Sequence, residues 1–265
     1  MKFSANLSLL YTELPLPERF AAAARDGFGA VEIQFPYDED PHLLRHAADA
    51  AGVPIVLINV PAGDLMSGGE GLACVPERRS AFREALEQCR EVAAVLRPEK
   101  VNVLAGRCHD PARWQECLDT FVTSLELAAQ LLSPTGSRIV FEGVNRHDMP
   151  GFLIATPGEQ MQVLERLGND ACTLQVDLYH VARMGLPVAE ELARVLPWTG
   201  HIQFADCPGR GEPGSGGLDF PALFGQLDQA GYSGWLGAEY HPTTPATADS
   251  LGWLRSREIP CPDRG

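Results

Sequence analysis

Four oxygen-bearing side chains in the second half of the chain each close a short apolar run. Glu142 follows Ile139, Val140 and Phe141; Asp177 follows Leu174 and Val176; Gln203 follows Ile202; Glu239 follows Leu236 and Ala238. They are spaced 35, 26 and 36 positions apart, each about the length of one strand–helix unit. Consecutive parallel strands would therefore bring all four to one end of a closed sheet. Three carboxylates and an amide oxygen are hard donors, suited to Mg²⁺ or Mn²⁺ rather than to zinc, which favours His and Cys. Any one of Glu142, Asp177 and Glu239 could equally be an outward residue paired with a helix Lys or Arg. Together on one rim, unpaired, they would repel, and a cation is the natural compensation. Glu142 and Glu239 would end strands that are not neighbours and so reach a substrate from different sides, as two proton-transfer groups should.

The elements that must position them follow a steady rhythm. Strands are predicted at 3–7, 30–35, 55–60, 101–105, 139–142, 173–178, 201–205 and 235–240. Helices are predicted near 18–25, 41–51, 77–96, 112–132, 158–167, 187–195, 220–230 and 246–254, with 256–265 as a loose tail. Eight such alternations within 265 residues, without a linker-like change in composition, imply one (β/α)₈ TIM barrel over the whole chain. An open doubly wound sheet is the competing architecture. The glycine-rich stretch 61–76 is long for a connection, and reads either as a surface insertion or as a lid.

Composition narrows the partners. Apolar residues are 45% of the chain and charged residues 21%, as in ordinary globular proteins. The formal charge of −14 disfavours nucleic acid, whose binding rests on Lys and Arg meeting phosphates. An apolar run long enough to span a bilayer is missing from the sequence, as is a cleavable leader. Seven cysteines without a CxxC pair fit reduced thiols in a cytoplasmic protein. Self-association as a homo-oligomer is left open. Gly209, Gly211 and Gly214 match the letters of GxGxxG, but Pro213 interrupts them and no first βαβ unit surrounds them, so the segment is a loop.

The segments FEGVN (141–145), VDLYH (176–180), HIQFADCPGRGEPGSG (201–216) and GAEYHP (237–242) resemble the hydroxypyruvate isomerase family, one of the xylose-isomerase-like barrels. FSANLS (3–8) and PAGD (61–64) extend the resemblance over essentially the whole chain. The resemblance implies one divalent metal at Glu142, Asp177, Gln203 and Glu239, with Glu142 and Glu239 also donating and accepting protons. Related epimerases carry His where this chain has Gln203. The implied reaction interconverts hydroxypyruvate and tartronate semialdehyde, a small anionic hydroxy-oxo acid pair, by proton transfer through an enediolate.

By the same resemblance His180 contacts substrate, and Arg210 in the glycine-rich loop could fork onto a substrate carboxylate. Glu212 could pair with Arg210; the role of His241 is open, and Ile58 puts a polar contact from the third strand in doubt. The nearest rival is a 2-oxo-tetronate isomerase with the same site and a substrate one carbon longer. More distant rivals are a sugar 3-epimerase, an apurinic-endonuclease-like phosphodiesterase needing more His ligands and a basic groove, and a dead binding barrel lacking a ligand.

Overall fold

The predicted strands pair in chain order. In a computed structural model, which describes residues 1–168 and 170–255, eight parallel strands close into a barrel in the sequence β1 to β8. They are β1 Lys2–Asn6, β2 Ala30–Ile33, β3 Ile55–Asn59, β4 Lys100–Asn102, β5 Arg138–Glu142, β6 Cys172–Asp177, β7 Thr199–Phe204 and β8 Trp235–Ala238. Pairing of Ala5 with Ala238 joins the first strand to the last and leaves no open edge. The open doubly wound sheet is thereby excluded.

The surrounding helices are α1 Leu16–Asp26, α2 Pro41–Ala51, α3 Arg79–Leu96, α4 Trp114–Leu132, α5 Pro157–Leu167, α6 Leu178–Arg183, α7 Val188–Val195, α8 Phe220–Gln229 and α9 Gly252–Arg255. Local chemistry sets their ends. Thr156 and Glu159 form a capping box at the start of α5, and Gly27 and Gly52 close α1 and α2 in the left-handed conformation. Apolar faces such as Phe82, Leu86, Cys89 and Ala93 of α3 pack on the barrel wall.

Two elements depart from expectation. The six-residue α6 follows β6 immediately because Asp177 caps it, accepting from the Tyr179 N–H at 2.9 Å. The expected helix over 246–254 is instead a 3₁₀ turn at Thr247–Ser250 followed by the single turn of α9. Its hydroxyls are engaged elsewhere: Thr247 accepts from the Tyr11 N–H, and Ser250 donates to the Thr247 carbonyl. The tail expected over 256–265 lies outside the described residues. Cys261 lies there too; the six described cysteines are free thiols. No described helix is long and apolar enough to cross a membrane.

Candidate active site

Alternate residues of a strand face the same side, and in this barrel several inward positions are polar. Ser4 and Asn6 come from β1, Glu32 from β2, Gln175 and Asp177 from β6, His201 and Gln203 from β7, and all are at most 1% exposed. Register levels Asp177 with Gln203, and Glu142 with Gln175. Buried polar groups must find partners, and these find each other. Ser4 and Gln203 donate to Glu32, Gln175 donates to Gln203, and Asn102 donates to Glu142.

All four expected ligands lie at the C-terminal mouth and are buried. Glu142, Gln203, Glu239, His180 and Arg210 line one cavity of about 160 Å³. Asp177 turns Oδ1 to the α6 cap, while its buried Oδ2 has no hydrogen bond. Gln203 donates through Nε2 to Glu239 Oε2 at 2.5 Å and accepts through Oε1 from Gln175 at 2.6 Å. Glu239 also accepts from Asn6, Gln34 and Arg210.

Electrostatics follow from this crowding. Burial, then the charges of Glu239 and Asp177, raises Glu142 well above the carboxylate range, while Arg210 and Asn102 only partly oppose it. Burial pushes Asp177 up to about 6 and Glu239 up to about 8, each against the pull of Arg210. The site is an acidic pocket short of positive charge.

Arg210 supplies part of it. Its guanidinium lies 2.6 Å from Glu239 Oε1 and 3.7 Å from Asp177 Oδ2, and rests over the Tyr179 ring at 5.0 Å. Its Nε is buried without a partner. The pairing with Glu212 expected from the sequence is not formed. Glu212 instead accepts from the backbone and hydroxyl of Thr243, because the loop turns its side chain toward the segment after β8. Asp206 holds that loop, accepting from the backbone N–H groups of Cys207, Gly214, Gly216 and Leu218.

His180 Nε2 lies 3.7 Å from Glu142 and 3.6 Å from Asp177, and one ligand atom from each of the three residues falls within 4.8 Å of the others. The tautomer nevertheless argues against His180 as a metal ligand. Asn145 Oδ1 accepts from the N–H groups of His147 and Asp148, so Nδ2 faces His180 Nδ1 at 2.7 Å. An amide nitrogen only donates, so Nδ1 accepts and the neutral ring carries its proton on Nε2. Burial, then Arg210, lowers His180 well below its ordinary value and keeps it neutral. His180 therefore presents a donor to the cavity.

Other positions resolve simply. Ile58 is buried in the core, and its neighbour Asn59 supplies the polar group of β3 at the cavity. The His241 side chain lines a separate cavity with Ser8 and Thr12, although its N–H donates to the Arg210 carbonyl. The 61–76 stretch is tied down: Arg107 donates to the Leu65 and Gly69 carbonyls, and Asp64 accepts from Arg78 and Gly71. Its Met66, 58% exposed, lines the mouth of the cavity.

A closed parallel barrel with a carboxylate-rich pocket at the strand C-termini defines the class: a TIM-barrel enzyme. The profile of the xylose isomerase-like TIM barrel family matches residues 20–257, and the chain belongs to that family. It is 41% identical to a mouse (Mus musculus) protein named putative hydroxypyruvate isomerase, over 97% of this chain and 95% of that one. It is 34% identical to the hydroxypyruvate isomerase of Escherichia coli, over 96% and 98%. A 2-oxo-tetronate isomerase of Cupriavidus necator is 37% identical over 96% and 97%. Among solved structures, a Brucella melitensis protein described as an AP endonuclease, family 2, superposes with a TM-score of 0.90 at 33% identity, covering 96% of this chain and 97% of that one.

Proposed function

We propose that this chain is an isomerase interconverting hydroxypyruvate and 2-hydroxy-3-oxopropanoate (tartronate semialdehyde). One observation carries the reading: Glu142 at the end of β5 and Glu239 just past the end of β8 face one small cavity, two carboxyl groups facing one bound substrate. Relatives of that name over nearly the full length support the substrate. A cavity of about 160 Å³ suits a three- or four-carbon acid; pockets for larger ligands run to roughly 300–1,000 Å³.

The residues fit a divalent cation, because the buried Asp177 Oδ2 has no hydrogen bond amid carboxylates that Arg210 alone only partly balances. Glu142, Asp177, Gln203 and Glu239 would hold it. Bound there, Mg²⁺ or Mn²⁺ would neutralise negative charge developing on the substrate oxygens. The chain's own groups do the rest. Arg210 offers its unpartnered Nε to the substrate carboxylate, and His180 offers Nε2–H to a substrate oxygen. One glutamate takes a proton from C3, and the C–H electrons become the C2–C3 double bond of the enediolate. The other delivers a proton to C2, while the O3 proton passes to O2. Met66, Met149 and Leu104 make the mouth apolar and keep water from the exposed carbanion. The partner is a small anionic hydroxy-oxo acid met in the cytoplasm, with neither nucleic acid nor membrane.

The second reading, a 2-oxo-tetronate isomerase, is favoured by the similarity to the C. necator enzyme. A substrate panel with Mg²⁺ or Mn²⁺ added separates them. Hydroxypyruvate is expected to give the highest kcat/KM; a higher value for 2-oxo-tetronate would move the assignment to the second reading. Preference for a free ketohexose would overturn both.

A further inference from the structure

A glutamine side chain can present either end of its amide, and only the oxygen can serve a cation. What stands behind Gln203 decides which end is offered. Glu32 reaches across the barrel from β2 to β7, and it can do so because position 237 on β8 is glycine: a methyl group there would collide with the Glu32 carboxylate. Its Oε1 accepts from Ser4 Oγ at 2.6 Å and lies 2.8 Å from His201 Nε2. Its Oε2 accepts from Gln203 Nε2 at 2.8 Å, and Glu239 Oε2 takes the other N–H of that amide at 2.5 Å. Gln175 Nε2 then donates to Gln203 Oε1 at 2.6 Å.

A flipped amide would set its oxygen against the Glu32 and Glu239 oxygens; Gln175, whose Oε1 has no hydrogen-bond partner, could turn to meet the nitrogen, so the carboxylates and not Gln175 hold the orientation. With Ser4, Glu32, Gln175, His201 and Gln203 all at most 1% exposed, water cannot repair those mismatches. In the observed orientation Oε1 spends one lone pair on Gln175 and keeps the second for a cation.

We infer that Glu32 is a positioning residue that fixes the Gln203 amide with its oxygen available for the metal. It acts through Gln203 and touches no substrate. The inference rests on the proposed role of Gln203 as a ligand and extends it to the group behind.

The test is Mn²⁺ binding to the purified full-length protein, followed by electron paramagnetic resonance. Glu32→Met removes both carboxylate oxygens, leaving only a weakly accepting thioether, while keeping the length of the side chain. It is expected to weaken Mn²⁺ binding by about 10–100-fold, the usual cost of losing a group that orients a ligand. Glu32→Gln, which keeps one acceptor oxygen, should recover part of that loss. In the Gln203→Ala background Glu32→Met should cost nothing further, since residues acting through one another are not additive. Costs that add, or unchanged Mn²⁺ affinity in Glu32→Met, overturn the inference. Should Glu32→Met not fold, Gly237→Ala displaces the carboxylate while keeping its charge and must weaken Mn²⁺ in the same way. Selective ¹⁵N labelling of glutamine gives a readout without metal: the Gln203 amide protons should exchange slowly in the wild type and faster in Glu32→Met. If the wild type binds no Mn²⁺, the ligand role of Gln203 fails by itself, and unchanged amide exchange would separately overturn the role of Glu32.

Discussion

Glu32 and Glu142 are the same residue in the same barrel, both buried, and they differ in almost everything that matters. Glu32 sits in the polar layer beneath the mouth with donors from Ser4, His201 and Gln203 within 2.8 Å. Burial would raise it, but His201 and the hydrogen bonds outweigh burial and hold it below the ordinary range. Glu142 stands on the rim, where Asn102, at 3.3 Å, is its one hydrogen-bond donor among the described residues. Burial and the neighbouring carboxylates of Glu239 and Asp177 raise it far above that range. A buried carboxylate whose donors match its oxygens belongs to the scaffold. One crowded by its own kind belongs to a site.

The comparison predicts a graded response to neutral isosteres. Glu142→Gln and Glu239→Gln should each lower kcat by about 10²–10⁴-fold, the usual contribution of a positioned acid or base, with circular dichroism unchanged. Near-normal turnover in either variant would remove it from the proton-transfer pair. Arg210→Met comes next. Losing a charge-assisted hydrogen bond costs about 1.5–3 kcal/mol, so KM for hydroxypyruvate should rise by roughly 10-fold to 100-fold; an unchanged KM would return Arg210 to the loop.

Glu32→Gln should show the smallest change in chemistry and the clearest change in stability. Removing an acceptor from buried donors costs about 1–3 kcal/mol, read from denaturant melts. The folded pKa of Glu32 lies below its unfolded one, so its stabilisation is present above the ordinary glutamate range and is lost as pH falls through the folded value. The gap between wild type and variant should therefore narrow in acid. A gap independent of pH would mean that the charge of Glu32 contributes nothing.

Strand ends were legible because an apolar run that stops at an acid can be read without coordinates, and the rim residues Glu142, Asp177, Gln203 and Glu239 all fall on one cavity or its wall. The layer beneath was not legible. Glu32 lies inside the run Ala30–Ile33, where alternation alone makes a charge look solvent-facing, and its partner His201 is 169 positions away. The short α6 is not legible either, since six residues fall below the length at which helical periodicity shows, although Asp177 followed by an apolar residue is a capping signal. Asn145, which fixes the His180 tautomer, closes the FEGVN segment, but nothing in that segment ties it to a histidine 35 positions on. Arg210 is legible by type and loop, but its partner is not, because Glu212 is near in sequence and turned away in space.

Turnover is proposed to depend on a divalent cation held at the rim. Its most direct measurement is hydroxypyruvate isomerisation by the chelated protein, before and after Mg²⁺ or Mn²⁺ is restored. Turnover lost on chelation and regained with either ion is the predicted result. Full turnover in the chelated, metal-free protein would contradict the account.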